Sequence, residues 1–472
     1  MNPEKQIELL NQQINNDIAA SYYVGRYYFS VNTNKDRSDF GLQPEQDISI
    51  DTQREMQSMN IIPMFHEYIH YIHEISTVTG NLGLHLDVSL KSVFSHYFNA
   101  SLLSCEHHGI DRTDTKMFGY FKAFYNSKES INGHVMQDAK ILRIFSIDHK
   151  FANISFLNGT DIRNFNFNLP EIEVELFENH SYKRRKILFG KFFIYEGLAY
   201  ELDRILEQQV LRLRKIKDDK RGTEYTFLRF LARFIYPNVD VESYLTAASL
   251  SLNFHNCGET FIGYINRIKS ETEAGAEKNK ILAGLKAEVS HHLFSRMTEY
   301  NEAQDELPTV FIKRQQLHKA FSEIATQAKK GYLLRCEKPS FEVDLIVAGD
   351  YAKLLDIVPI CDYIYVFKDA EEYKRDFLGT ASFTDEISQA LKVLIVLDHY
   401  QKSHQLSATI DVESTEKIKC PFYCVCDLRF RNTHAAMCAE KPWRTFEISA
   451  STDKKYCWYG QGVGEAKGHN EL

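Results

Sequence analysis

Long apolar runs are absent from this 472-residue sequence. Nowhere do about eighteen apolar residues stand together, so no membrane-spanning helix is expected. The opening residues, MNPEKQIELLNQQINND, are polar and lack the apolar centre of a secretory signal. Proline (10) and glycine (22) are scarce for this length, which disfavours many short strands joined by turns and favours long helices. Neither charge sign dominates: a net charge of −8 gives no general reason to expect a nucleic-acid partner. Two short basic stretches, KRRK at 183–186 and RLRKIKDDKR at 212–221, are the exceptions, and the second mixes signs as a solvated helix end does. Internal repeats and low-complexity segments are also missing.

What is present is the composition of a globular protein, 44% apolar and 25% charged. The length suits two or three domains rather than one core. Nine cysteines, an odd number with no export signal before them, read as thiols or metal ligands in a reducing cytoplasm rather than as disulfides. The pattern predicts a mainly α (α+β) protein with a small β element. Residues 5–30 read as helical, 32–47 as a polar loop, and helix resumes near Asp51, restarts at Pro63 and ends at Gly80. Further helices are expected over 86–104 and 134–148, and strands over 150–180, where apolar and polar residues alternate. Helix returns at 184–217 and persists to about 330. Residues 341–367 read as strands, and EISQALKVLIVLDHYQKSHQL as an amphipathic helix. The resulting division is an N-terminal helical segment (1–50), a catalytic domain (51–305), a connector (306–340) and a C-terminal Cys-rich α+β module (341–472).

The stretch FHEYIHYIHEIST, residues 65–77, carries the chemistry. His66, Glu67 and His70 match H-E-x-x-H. Four residues of helix turn the chain by about 400°, which stacks the two imidazoles on one face. Two imidazole nitrogens can hold one Zn²⁺ at about 2.0–2.1 Å, and Glu67 stands beside them as a base rather than a ligand. The flanking residues are apolar, and polar groups on a buried helix are costly unless partnered. His73 and Glu74 continue the same face.

A catalytic zinc needs a third protein ligand. FFIYEGLAYELD at 192–203 offers Glu196, an acidic residue in an apolar helical stretch, with the small Gly197 and Ala199 expected to let this helix approach the first. Tyr200 shares its face, and Glu201 and Asp203 are candidates to hold a ligand histidine by its other nitrogen. Tyr200, His255, His291 and His292 are candidates to stabilise an oxyanion.

HEYIH followed by YEGLAYELD resembles the gluzincin metallopeptidases, including their aminopeptidase branch, and HEYIHYIHEISTVTG resembles bacterial zincin-like H-E-x-x-H proteins. That resemblance implies a zincin-like catalytic core, His66, His70 and Glu196 as zinc ligands, Glu67 as base, and a protein or peptide substrate. The sequence departs from the pattern in the longer His70-to-Glu196 interval, in Tyr195 where aminopeptidases carry asparagine, and in lacking an amine-recognition G-x-M-E-N motif.

Five of the nine cysteines fall between 420 and 457. Cys420, Cys424, Cys426 and Cys438, with His434 and Cys457 nearby, could form a structural zinc site, although the spacing is that of no standard finger. Buried small side chains and redox-active thiols are the other readings. The expected activity is zinc-dependent peptide-bond hydrolysis. A non-catalytic zinc-stabilised assembly protein, or a zinc-dependent toxin or defence effector with a single protein target, are the alternatives. No membrane or nucleic-acid partner is expected, and nothing in the sequence fixes the oligomeric state.

Overall fold

A computed structural model describes residues 20–23, 28–32, 65–100, 115–134, 139–158, 161–178, 180–211, 223–350, 364–368, 375–379, 385–409, 420–422, 428–446 and 457–466. Residues 33–47 of the loop expected at 32–47, the run 212–221, and Cys424 and Cys426 lie outside them.

The described chain is mostly helical, with two small sheets. Strands β1 (Ala20–Tyr23) and β2 (Tyr28–Asn32) stand where sequence pattern suggested helix. Their aromatic and β-branched residues suit strands. Helix α1 covers residues 65–76, and every residue in it is buried. A helix covered on all sides lies at the centre of its domain.

The helix does not end at Gly80. It breaks at Thr77, whose hydroxyl donates to the His73 carbonyl (2.6 Å) and accepts from the Gly80 N–H (3.0 Å). That is N-cap behaviour, and it starts α2 (Val78–Ala100) at once. Gly80 is needed at this break because a Cβ there would meet the His73 carbonyl oxygen at 2.3 Å. Helix α3 (Thr115–Asn132) packs on α2.

An antiparallel sheet follows, β3 (Ala139–Asn158), β4 (Asp161–Glu178) and β5 (Ser181–Leu188), in that order across the sheet. It begins inside the segment expected to be helical at 134–148. Register shifts between Ile141 and Arg143 and between Ile144 and Ser146 are the reason. They space the buried Ile141 and Ile144 by three, a helix-like interval produced by β-bulges. The KRRK stretch lies on β5, where Lys183 and Arg185 pair with Glu178, Arg184 with Glu173 and Lys186 with Glu171. Neighbouring β4 thus neutralises it.

Helix α4 (Lys191–Leu211) carries Glu196, and α5 (Thr223–Ile235) packs along it. Gly197 serves that second contact rather than the approach to α1. A Cβ there would sit 2.6 Å from the Leu228 Cβ on α5. Then come α6 (Val241–Ser251), α7 (Cys257–Glu273), α8 (Lys278–Glu306), α9 (Gln315–Glu337) and the short α10 (Phe341–Val347), helical where strand was expected. Residues 306–340, expected as a connector, hold α9, which packs on α8 and on α11 (Asp385–Thr409). Strands β6 (Ile364–Lys368) and β7 (Arg375–Gly379) complete the first sheet in the order β1-β2-β6-β7. Helices α12 (Leu428–Glu440), kinked at His434, and α13 (Trp458–Ala466) close the chain.

One apolar core runs from Phe65 on α1 through Ile172, Leu198, Phe321 and Leu394 to Val463. Among the described residues, no helix is long and apolar enough to cross a membrane.

Candidate metal centre

Two buried helices build the site. Helix α1 presents His66 and His70 one turn apart, and α4 presents Glu196 opposite them. The three donor atoms form a near-equilateral triangle. His66 Nε2 and His70 Nε2 are 3.0 Å apart, and Glu196 Oε2 is 3.4 Å from the first and 3.5 Å from the second. Tetrahedral ligands at about 2.0–2.1 Å from zinc would stand about 3.3–3.4 Å from one another, so the triangle has the size of one zinc coordination face. No other group of three or more His, Cys, Asp or Glu side chains among the described residues converges in this way. The Glu196 side chain is one-fifth exposed, against the more deeply buried His66 and His70.

The proton pattern points the same way. The His66 Nδ1–H donates to Asp203 Oδ2 at 2.6 Å. Asp203 lies seven residues after Glu196, two turns along the same face of α4. With Nδ1 carrying that proton, the lone pair of neutral His66 is on Nε2, facing His70 and Glu196. Three electron-rich atoms then converge, an arrangement that asks for a cation. Burial pulls the His66 pKa down, but the Asp203 carboxylate, with Glu196 and Glu67, raises it well above the ordinary histidine value. Burial likewise opposes ionisation of Glu196, yet His70 and His66 hold its carboxyl far below the usual range. The field that would hold a proton on His66 would hold a divalent ion better. The donor set, two imidazoles and a carboxylate with a carboxylate behind one imidazole, fits zinc.

The remaining expected residues divide. Glu67 is buried beside His66 on α1. Tyr200 is buried next to Tyr225, their rings 5.5 Å apart. Glu201 turns away from the histidines and pairs with Arg229 on α5 at 3.2 Å. One hundred degrees per residue puts it on a different face from Glu196. His73 is fully buried and donates from Nε2 to Glu342 Oε1 at 3.1 Å, in a network where Arg335 also reaches Glu342 (2.6 Å), Ser249 (3.2 Å) and Ser76 (3.0 Å). Burial lowers the His73 pKa to about 4, against the pull of Glu342, so the ring is neutral. His292 stacks on Phe254 and His255 lies tilted against Phe165, both histidines lining a separate cavity, and His291 is exposed.

Sequence reasoning missed Tyr225. It sits in the first turn of α5, half-buried, with its ring edge-on to His66 at 6.0 Å. It comes from a third element, and no spacing within TEYTF announces it. At the C-terminal cysteines, the Cys420 N–H donates to the Cys438 carbonyl at 2.9 Å, so the backbones of these two meet.

No protein-family model, curated protein or solved structure matches this chain.

Proposed function

We propose that the protein is a zinc-dependent peptide-bond hydrolase, a metallopeptidase of the zincin type whose core is built on α1 and α4. The triangle of His66 Nε2, His70 Nε2 and Glu196 Oε2, with Asp203 fixing the tautomer of His66, carries this reading. Zinc held there would polarise a substrate carbonyl and lower the pKa of water at the site. Glu67, next to the ligands but not one of them, accepts a proton from the attacking water on its carboxylate. The water oxygen joins the carbonyl carbon, the C–N bond breaks, and Glu67 returns that proton to the leaving nitrogen. Asp203 keeps His66 oriented and offsets the charge it shares with the metal. Tyr225, whose ring stands edge-on to His66 at 6.0 Å, is the candidate donor to a developing oxyanion.

Glu67→Gln tests the chemistry. It keeps the shape and both histidines, so zinc content should stay at wild-type level while hydrolysis of a peptide library falls by about 10²-fold or more. Near wild-type turnover in Glu67→Gln would remove Glu67 from the mechanism. Cys420 and Cys438 are the described members of the possible structural zinc set Cys420, Cys424, Cys426 and Cys438. Two zinc ions per chain would support that set, and one would exclude it.

A further inference from the structure

A cavity of about 360 Å³ lies between the start of α2, β3, the turn after α6, and α8. Neither His66, His70 nor Glu196 lines it. The volume is at the small end for ligand pockets, enough for about one or two rings. Much of the lining is apolar and aromatic. It comes from Val78 and Leu82 on α2, Phe156 on β3, Phe254 after α6, and Tyr300 on α8, which stacks on Tyr332 at 3.7 Å.

Three basic side chains meet at the same cavity. His292 and Arg296 stand four apart on α8, so they share one face of that helix, and His255 comes from the turn after α6. All three keep solvent-accessible surface, so a ligand can reach them. They are also close enough to feel one another. Desolvation, then the charges of Arg296 and His292, lowers the His255 pKa to about 4. Desolvation, then Arg296, lowers that of His292. Neutral imidazoles still offer an N–H to an acceptor. Among the described lining residues the one carboxylate is Glu299, which meets Arg296 Nε at 2.9 Å. Both side chains of that pair are more than half exposed, so it is weak, and it occupies one edge of a guanidinium with N–H groups to spare. An aromatic-lined cavity with three basic groups against one weakly held carboxylate suits an anion with an apolar body. The body leaves water for the aromatic lining, and the charge keeps charged and hydrogen-bonding partners.

We propose that this cavity binds a small aromatic carboxylate, its ring among the apolar side chains and its carboxylate held by Arg296, His255 and His292. Zinc at the α1–α4 centre plays no part in it. Benzoate and benzamide are matched probes, equal in shape, the first an anion and the second neutral. Titrated into the full chain and followed by saturation-transfer NMR and calorimetry, benzoate should bind about tenfold more tightly, the surplus of a charge-assisted hydrogen bond over a neutral one. Arg296→Met keeps the apolar stem and should bring benzoate down to the level of benzamide, while zinc content and the circular dichroism spectrum stay as in the wild type. Glu299→Gln removes the competing carboxylate and should tighten benzoate about two- to fivefold, the worth of an exposed ion pair, leaving benzamide unchanged. Should Arg296→Met unfold, Glu299→Gln decides alone, and unchanged or weaker benzoate binding in it counts against the site. Equal binding of the two probes, no binding of either at millimolar concentration, or benzoate binding that survives Arg296→Met, as binding to zinc would, would each overturn the proposal.

Discussion

Asp203 makes the two candidate ligand histidines unequal. It holds His66 from behind at 2.6 Å, whereas His70 lies against the ring of Tyr195, centroids 6.1 Å apart and 22° from parallel. Asp203→Ala should therefore weaken zinc binding about 10–100-fold in a chelator competition, the usual effect of losing a carboxylate behind a ligand histidine. Glu201→Ala should leave zinc affinity near wild type and instead lower the unfolding midpoint, because Glu201 serves Arg229. A larger zinc defect in Glu201→Ala than in Asp203→Ala would reverse the assignment. Much at this scale was legible in the sequence. His66 and His70 follow from a spacing of four, and Asp203 is seven residues from Glu196. Tyr225 was not legible, because only the packing of α5 on α4 brings it to His66.

Among the elements, α1 is held by more than apolar burial. The His73–Glu342–Arg335–Ser249 network ties it to α6, α9 and α10, with His73, Glu342 and Arg335 all fully buried. Glu342→Ala would strand the Arg335 guanidinium and should cost about 3–5 kcal/mol in denaturant unfolding. Replacing Arg335 and Glu342 together by methionine and leucine should cost much less, since neither charge is then left alone. Equal losses in the single and double variants would show the ion pair itself to be unimportant. Gly197→Ala gives a second test. Helix propensity alone would gain about 1 kcal/mol, but a Cβ 2.6 Å from Leu228 should overpack the α4–α5 contact and leave the variant less stable by about 1–3 kcal/mol. Helices with regular spacing were readable from sequence, whereas β3 was not. Its bulges place Ile141 and Ile144 three apart and imitate a helix.

Across the whole molecule, distant segments close on one another. Strand β2 pairs in parallel with β6, and the buried Lys91 on α2 joins Asp87 of its own helix to Asp398 on α11. Local pattern carries no sign of either contact, which is why the N-terminal strands were misread from sequence. Buried neutral histidines give the fold a pH signature. Burial lowers the His85 pKa to about 4, whereas the unfolded chain titrates near 6.5. Between those values the unfolded state binds a proton that the native state refuses, so His85 makes stability fall as pH falls through that window, by about 1.4 kcal/mol per pH unit. In metal-free protein, His85→Leu should flatten the stability–pH slope by about that amount between pH 6.5 and 4, whatever it does to stability at neutral pH. An unchanged slope would mean that His85 is protonated in the native state.

The zinc content of Glu196→Ala tests the account most directly. In the proposed centre, Glu196 is the ligand that joins α4 to the two histidines of α1. Elemental analysis of full-length protein prepared without chelator should find one zinc per chain fewer in Glu196→Ala than in the wild type, with Glu67→Gln holding as much as the wild type. Equal zinc in Glu196→Ala and the wild type, or no zinc in the wild type, would contradict it.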